Sequence, residues 1–177
     1  MLSVKTGRID TFSTSRFDTP DHSFGLHEMR MNPILLKWML NVYPPYWGTG
    51  ISVKSIAPDY KTVHVQMRMR WYNRNYVKTH FGGSLYAMTD PFFMLMLMHI
   101  LGNDFVVWDK AARIEFVKPG TGTLAAIFLI KDEEIEDIRQ NTADGQKYFP
   151  EFSVDITDVA GEVVSRVSKI LYIRKRM

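Results

Sequence analysis

Residues 84–101 read SLYAMTDPFFMLMLMHIL and are apolar on nearly every side. A helix that is hydrophobic all round lies either in the core of a protein or across a membrane. Asp90 and Pro91 stand in the middle of the segment, and a carboxylate at mid-bilayer costs about 3 kcal/mol on insertion scales. We therefore predict a buried central helix, and we expect no membrane partner.

The flanking segments predict one sheet and two further helices. Asn32-Pro33 is typical of a helix start, so a leading helix is expected over about 32–43. Apolar residues alternate with polar ones over 63–71, which predicts a strand. The pattern predicts strands over 105–117, 123–130, 152–158 and 163–173, and a short surface helix over 132–142. This order favours an α+β fold in which a curved antiparallel sheet wraps the central helix.

The strand over 105–117 carries one charge on its apolar side. Its alternation predicts that Trp108 and Phe116 face the core and that Asp109 faces water. Lys110 interrupts that apolar side. It could pair with Asp90 or meet a phosphate, but a strand bulge or a sheet edge is the favoured interpretation.

Length and composition limit the classes of protein that are possible. The 177 residues suit one domain, with an N-terminal arm over 1–24 and a single folded domain over 25–177. The chain has no cysteine, which excludes thiolate nucleophiles and sulfur-ligated metals. A net charge of +3 is too small to predict a nucleic-acid partner. The polar first residues do not resemble a signal peptide, so we expect a cytoplasmic protein.

The histidines do not form a pattern that predicts a metal site. None of them lies at metal-ligand spacing from another with carboxylates nearby. The five are His22, His27, His64, His80 and His99.

Asp90 is the most informative residue for chemistry. A carboxylate in an apolar helix either faces a cleft and acts there, or caps nearby backbone and bends the helix together with Pro91. The residues alone leave these two interpretations even. Gly82-Gly83 lies upstream, where free helix N–H groups could polarise a carbonyl, or where the pair simply joins a loop to the helix.

Two asparagines precede the glycine pair in a predicted loop. The amide of Asn75 could orient a water molecule or a carbonyl, although loop asparagines are usually turn formers. Asn73 is an equal candidate by residue type.

Residues 75–90, NYVKTHFGGSLYAMTD, resemble the signature of hotdog-fold acyl-CoA thioesterases of the phenylacetic-acid-pathway type, Asn-x-x-Gly-x-x-His-Gly-Gly-x6-Asp. Four positions match in type and spacing: Asn75, Gly82, Gly83 and Asp90. Lys78 replaces the first glycine, Phe81 replaces the histidine, and His80 is displaced by one position. The run FGGSLYA is similar to a bacterial hotdog branch of unknown function, and the resemblance covers about 47–174.

The resemblance implies a hotdog fold and the hydrolysis of a fatty or aromatic acyl thioester. Asp90 would be the nucleophile or general base, an amide of Gly82 or Gly83 would polarise the carbonyl, and Asn75 would position the substrate. The predicted substrate contacts are His80, Phe81, Ser84, Lys110 and Arg74. No cofactor is expected beyond the coenzyme A of the substrate, which could instead be an acyl-carrier thioester. The resemblance also implies a homodimer or a dimer of dimers, with the site between two chains.

Two alternatives remain open. A hotdog protein can bind acyl groups without catalysis, and Phe81 cannot donate the hydrogen bond of the missing histidine. A related class, the 3-hydroxyacyl thioester dehydratases, pairs a histidine with an acid, and His80 is slightly similar to that arrangement.

Overall fold

The computed structural model of the protein describes residues 31–177. Its helices are α1 (Pro33–Asn41), α2 (Pro44–Thr49), α3 (Gly82–Ala87), α4 (Phe92–Leu101) and α5 (Asp132–Asn141). Its strands are β1 (Ile51–Ile56), β2 (Thr62–Arg68), β3 (Phe105–Phe116), β4 (Thr123–Leu129), β5 (Lys147–Tyr148), β6 (Glu151–Thr157) and β7 (Val163–Lys175). The predicted arm over 1–24 lies outside the described residues.

The strands form one antiparallel sheet in the order β1-β2-β4-β6-β7-β3, with the short β5 added to β7. The inner face of this sheet packs on the central helix. The rings of Phe92 and Phe93 in α4 lie about 5 Å from that of Phe128 on β4, and Phe93 also stacks on Phe152 of β6. The predicted α+β fold is therefore confirmed, with an apolar helix at its centre.

The central helix is interrupted in the middle. The sequence predicts one continuous helix, whereas α3 and α4 are separated by residues 88–91, with a cis peptide bond between Asp90 and Pro91. Proline lacks the N–H that a continuous helix needs at this point. Gly82–Leu101 is long and apolar enough to cross a membrane by length and composition, but half of that stretch is buried in this fold. Packing in the core therefore accounts for its apolar character.

The two N-terminal helices pack along the β1 edge of the sheet. The side chain of Asn32 accepts a hydrogen bond from the Ile34 amide at 2.8 Å, so α1 begins where the sequence predicts. The leading helix expected over 32–43 ends at Asn41, and the next two prolines, Pro44 and Pro45, start α2, because proline suits a first helical turn. Asn41 then ties α1 to β1 by two hydrogen bonds with the Val53 backbone.

A bulge at Lys110 explains an error in the predicted face of β3. The register with β7 shifts between Asp109 and Ala111, so that Asp109 lies opposite the buried Leu171. A bulge adds one residue and reverses which side chains face inward. The prediction was therefore wrong for Trp108, which is 59% exposed, and for Asp109, which faces the core side.

Candidate active site

Asp90 lies at the break between α3 and α4, where two groups hold it. Its carboxylate Oδ1 accepts a hydrogen bond from Lys169 Nζ at 2.6 Å. Its backbone carbonyl accepts another from the Tyr46 hydroxyl on α2 at 2.5 Å. The side chain of Asp90 is still 46% exposed. The carboxylate is thus fixed in position and open to solvent on one side.

Lys169 is a completely buried cation on β7. Its Nζ also donates to Asp109 Oδ2 at 2.9 Å and lies 5.5 Å from the centroid of the Tyr86 ring. Lysine is rarely buried unless it is paired. Burial alone would lower the pKa of Lys169, but hydrogen bonds to the two carboxylates outweigh it and raise that pKa. The residue is therefore an ammonium ion that joins two acids.

Asp109 is the inner acid of this cluster. Burial raises its pKa, and the hydrogen bond from Lys169 opposes that rise. Its Oδ1 is buried and has no hydrogen-bond partner among residues 31–177. Asp109 thus lies behind Lys169, while Asp90 lies at the surface. We call Asp90, Lys169 and Asp109 the charged cluster.

The side chain of Asn75 closes its own loop. Its Oδ1 accepts from the Thr79 amide at 3.0 Å, and its Nδ2 donates to Thr79 Oγ1 at 2.9 Å. Lys78, which stands where the resemblance has glycine, adopts φ 63°. That left-handed conformation is the one glycine adopts most readily, which explains the glycine of the signature. Asn75 therefore shapes the loop, and its proposed contact with substrate stays a prediction.

Asn73 is the more buried of the two asparagines. Its Nδ2 donates to the carbonyls of Thr49 and Arg68, both at 2.8 Å, and its Oδ1 accepts from the Arg70 amide. It therefore joins the loop to the end of α2 and has a structural role.

His80 points into the turn between β3 and β4. Its ring is almost fully buried, and Nε2 lies 2.9 Å from the Gly122 carbonyl. Burial lowers the pKa of His80, and the Gly122 carbonyl works against that change. Nε2 of the neutral ring therefore donates to Gly122, and the hydrogen bonds of His80 do not involve Asp90.

The glycine pair forms the first residues of α3. The N–H groups of Gly82 and Gly83 have no partner within the helix, as at any helix start. A Cβ on Gly82 would lie 3.0 Å from the Phe116 ring, and one on Gly83 would lie 2.4 Å from the Phe81 ring. Phe81 is 60% exposed, whereas Ser84 is buried. The glycines therefore let aromatic side chains pack closely around two free amides.

The two predicted basic contacts, Lys110 and Arg74, do not pair with Asp90 in the described residues. Lys110, at the bulge of β3, places its Nζ 3.8 Å from the centroid of the Phe149 ring, so the favoured bulge interpretation agrees with the structure. The partner of Asp90 is Lys169, and Lys110 does not pair with it. Arg74 is exposed in the loop before α3.

Sequence reasoning missed Lys169, Asp109 and Tyr46. A signal for Lys169 existed, because it occupies an inward position of an alternating strand. The buried residues at that spacing on β7 are Ser165, Val167, Lys169, Leu171 and Ile173. A lysine in such a series predicts a paired buried charge.

The interrupted helix inside a curved antiparallel sheet is the hotdog fold, and solved hotdog structures are similar to this chain. PA5026 of Pseudomonas aeruginosa, described as a protein of unknown function and a "probable thioesterase", has a TM-score of 0.69 at 17% identity, over 81% of this chain and 95% of its own. The thioesterase HI1161 of Haemophilus influenzae has a TM-score of 0.60 at 11% identity, over 83% and 93%. The PaaI protein of the Escherichia coli phenylacetic acid degradation operon has a TM-score of 0.55 at 17% identity, over 79% and 88%.

A family model identifies the chain more closely. The model described as a domain of unknown function, DUF4442, matches residues 32–173, and the protein belongs to that family. A search of curated proteins found no match. The family therefore confirms the resemblance to a hotdog branch of unknown function.

Proposed function

We propose that this protein hydrolyses acyl thioesters and that Asp90 is its catalytic carboxylate. One observation carries the proposal: a half-exposed acid stands at the break of the central helix and is held from behind by the buried Lys169. Buried or clamped charges are concentrated at functional sites. The thioesterase HI1161 shares the fold, which supports the same class of reaction here.

The chemistry follows from the groups at the site. The Asp90 carboxylate either attacks the thioester carbonyl carbon or accepts a proton from a water molecule that attacks it. The carbonyl oxygen becomes negative as the new bond forms, and a free amide of Gly82 or Gly83 stabilises it. The carbon–sulfur bond then breaks and the thiolate leaves. If Asp90 attacked, the acyl group remains on it as a mixed anhydride, which a water molecule hydrolyses to the carboxylic acid and free Asp90, and the thiolate takes the proton that this water releases. If water attacked, the thiolate takes the proton that Asp90 accepted. Lys169 holds the Asp90 carboxylate in one orientation throughout.

The proposal includes a homodimer joined through the β3 edge. β3 ends the sheet on one side, and the aromatic side chains of Trp108 and Phe116 are largely exposed there. An exposed edge strand with apolar side chains favours pairing with another strand. A second copy would bring its loop over 75–83 towards Asp90 and complete the site. A dimer of dimers is a further possibility of the same kind.

The substrate we propose is an acyl thioester of coenzyme A or of an acyl carrier in the cytoplasm. Arg74 and Lys78 are exposed on the loop before α3 and could bind phosphate groups of the thiol. Methionines of the central helix, such as Met94, provide flexible apolar surface for an acyl chain.

A thiol-release assay tests the proposal. Purified protein is incubated with acyl-CoA esters of several chain lengths and an aromatic one, and free thiol is measured with a coloured reagent. We expect Asp90→Asn to lower kcat/KM by about 100-fold or more, because the attacking or accepting oxygen is lost. Asp104→Asn changes an exposed acid outside the cluster and should retain full activity. Equal rates for wild type and Asp90→Asn would refute the assignment.

Phe81 supports a second candidate, an acyl-binding protein without catalysis. Phe81 occupies the position of the motif histidine, is exposed, and has no polar group to offer a substrate. This candidate predicts that an acyl-CoA raises the melting temperature without any thiol release. The dehydratase alternative has less support, since the hydrogen bonds of His80 go to Gly122 and the loop.

A further inference from the structure

The outer side of α1 and α2 is unusually apolar. In α1 the side chains of Ile34, Leu35, Trp38 and Met39 are all about half exposed or more, and Leu36 is the one residue of the helix that is buried. Soluble proteins seldom leave such a cluster uncovered without a use for it. We call this surface, together with the turn over 70–72, the N-terminal face.

The turn over 70–72 belongs to the same surface because Asn73 binds it to α2. The Asn73 amide donates to the Thr49 carbonyl at the end of α2, next to Trp47. Trp47 is 60% exposed and Trp71 is 81% exposed, with Tyr72 packed edge-on against it. The N-terminal face therefore carries three exposed tryptophans.

Positive charge is concentrated in the same part of the chain. Residues 31–89 contain seven basic residues and one acidic residue, Asp59, for a net charge of +6. Residues 90–177 contain eleven basic and fourteen acidic residues, for a net charge of −3. Lys61 is paired with Asp132. The other six cations are Lys37, Lys54, Arg68, Arg70, Arg74 and Lys78.

We propose that the N-terminal face docks on a bilayer surface that contains anionic phospholipid. Tryptophan and tyrosine are enriched at the membrane–water interface, and aliphatic side chains of a surface helix insert between the headgroups. Lysine and arginine near the surface are attracted by anionic headgroups. This contact is peripheral and revises the expectation of no membrane partner. It does not depend on the thioesterase proposal.

Charge and topology disfavour the other occupants. A second copy on this face would bring Lys37 of α1 and Arg70 of the turn towards their counterparts in a symmetric contact. β1 and β3 are opposite edges of the sheet, so pairing through β3 leaves the β1 side free. A nucleic acid would use the cations and aromatic rings, but Ile34, Leu35 and Met39 would gain nothing from it.

Vesicle flotation tests the proposal on the full chain. The protein is mixed with vesicles of phosphatidylcholine alone, or with phosphatidylglycerol added at about 3 parts in 10, and bound protein is measured after centrifugation. We expect binding to the anionic vesicles only, falling as salt is raised, with a blue shift of tryptophan emission. Equal binding to neutral and anionic vesicles, or binding to neither, would overturn the proposal.

Two variants and two matched controls locate the contact. Arg70→Gln should weaken binding about 5-fold, since each cation near an anionic surface adds about 1 kcal/mol. Trp38→Ala should weaken it about 10-fold through lost apolar contact. Ile127→Ala on β4 and Arg139→Gln on α5 change equally exposed residues away from the face and should bind normally.

The remaining outcomes also decide the question. If all four variants bind vesicles as the wild type does, the contact lies elsewhere and the proposal fails. If Trp38→Ala instead dissociates an oligomer in sedimentation experiments, the face is a contact between copies of the chain. Circular dichroism confirms that each variant is folded.

Discussion

Two cations of strand β7, Arg166 and Lys169, form ion pairs on opposite faces of the sheet. The two sites differ in burial and in hydrogen-bond geometry. Arg166 points outward and binds Asp155 with two hydrogen bonds, at 2.8 and 3.1 Å, with 52% of its side chain exposed. Lys169 points inward and is completely buried between Asp90 and Asp109. The outer pair has two parallel bonds but is screened by water, whereas the inner one is not. We therefore expect the buried pair to contribute more to the free energy of unfolding than the exposed pair.

The inner pair is costly to build, which supports the proposed role of Asp90 in catalysis. Burying the Lys169 ammonium beside Asp109 is unfavourable, and an apolar substitute of similar shape is often at least as stable. One ammonium serves two carboxyl groups, and burial raises the pKa of the inner one, Asp109. A protein selected for stability alone gains little from that arrangement.

Lys169→Met should have the largest effect of any substitution in the two pairs. It leaves the inner Asp109 carboxylate without a partner, so we expect the free energy of unfolding to fall by about 3 kcal/mol, the low end for a broken buried pair because Asp90 is half exposed. Urea denaturation measures the loss. Thioesterase activity should fall as well, since Asp90 is no longer held. A variant as stable as the wild type would show that the cluster is not a unit.

Removing the inner acid together with the lysine should recover part of this loss. In the double variant Lys169→Met/Asp109→Leu, no ionised group remains buried and Asp90 can be hydrated at the surface. We expect it to be more stable than Lys169→Met by about 1–2 kcal/mol, and still inactive. Additive losses in the same urea experiment would contradict the proposed coupling.

A buried histidine, His80, and an exposed one, His64, allow the same comparison of buried with exposed side chains. The pKa of His80 is lowered in the fold by burial, so the unfolded chain binds a proton more readily. The contribution of neutral His80 to the free energy of unfolding is therefore complete above about pH 6.5, the pKa in the unfolded chain. It is lost as the pH falls from there towards the lower pKa of His80 in the fold, by at most ~1.4 kcal/mol per pH unit. His80→Gln, which can still donate to Gly122, should reduce this dependence in denaturation experiments at several pH values. His64→Gln, on the exposed side of β2, should retain it.

Arg166→Met should have the smallest effect. The side chain of Arg166 is exposed, and water replaces its contacts with Asp155. We expect the urea midpoint to stay within experimental error of the wild type. A loss comparable to that of Lys169→Met would mean that geometry, rather than burial, sets the strength of these pairs.

The sequence predicted the elements of the fold well because its periodicity is strong. The apolar run of the central helix, the cap at Asn32 and the alternation on β7 each reflect a local preference that the fold keeps. The face of β3 was predicted wrongly before Lys110, because the bulge there is visible only when β3 is paired with β7. Local patterns do not record a register shift between strands that are distant in sequence.

The candidate site was predicted in part. Asp90 was identified because an acid in an apolar run is unusual, and its role stays a prediction. Its partner Lys169 lies 79 residues from Asp90 and 60 residues from Asp109 in the sequence, and no local motif joins the three. The two asparagines and His80 have loop-shaping hydrogen bonds that residue type alone does not reveal.

The neighbours Tyr46 and Trp47 have opposite surroundings. The first is buried and its hydroxyl reaches the carbonyl of Asp90, while the indole of the second is open to the outside. One step along the chain therefore separates the exterior of the molecule from the hydroxyl that contacts the backbone of its candidate catalytic acid. We expect a spectroscopic probe attached at position 47 to report changes at the acid that move the Tyr46 hydroxyl.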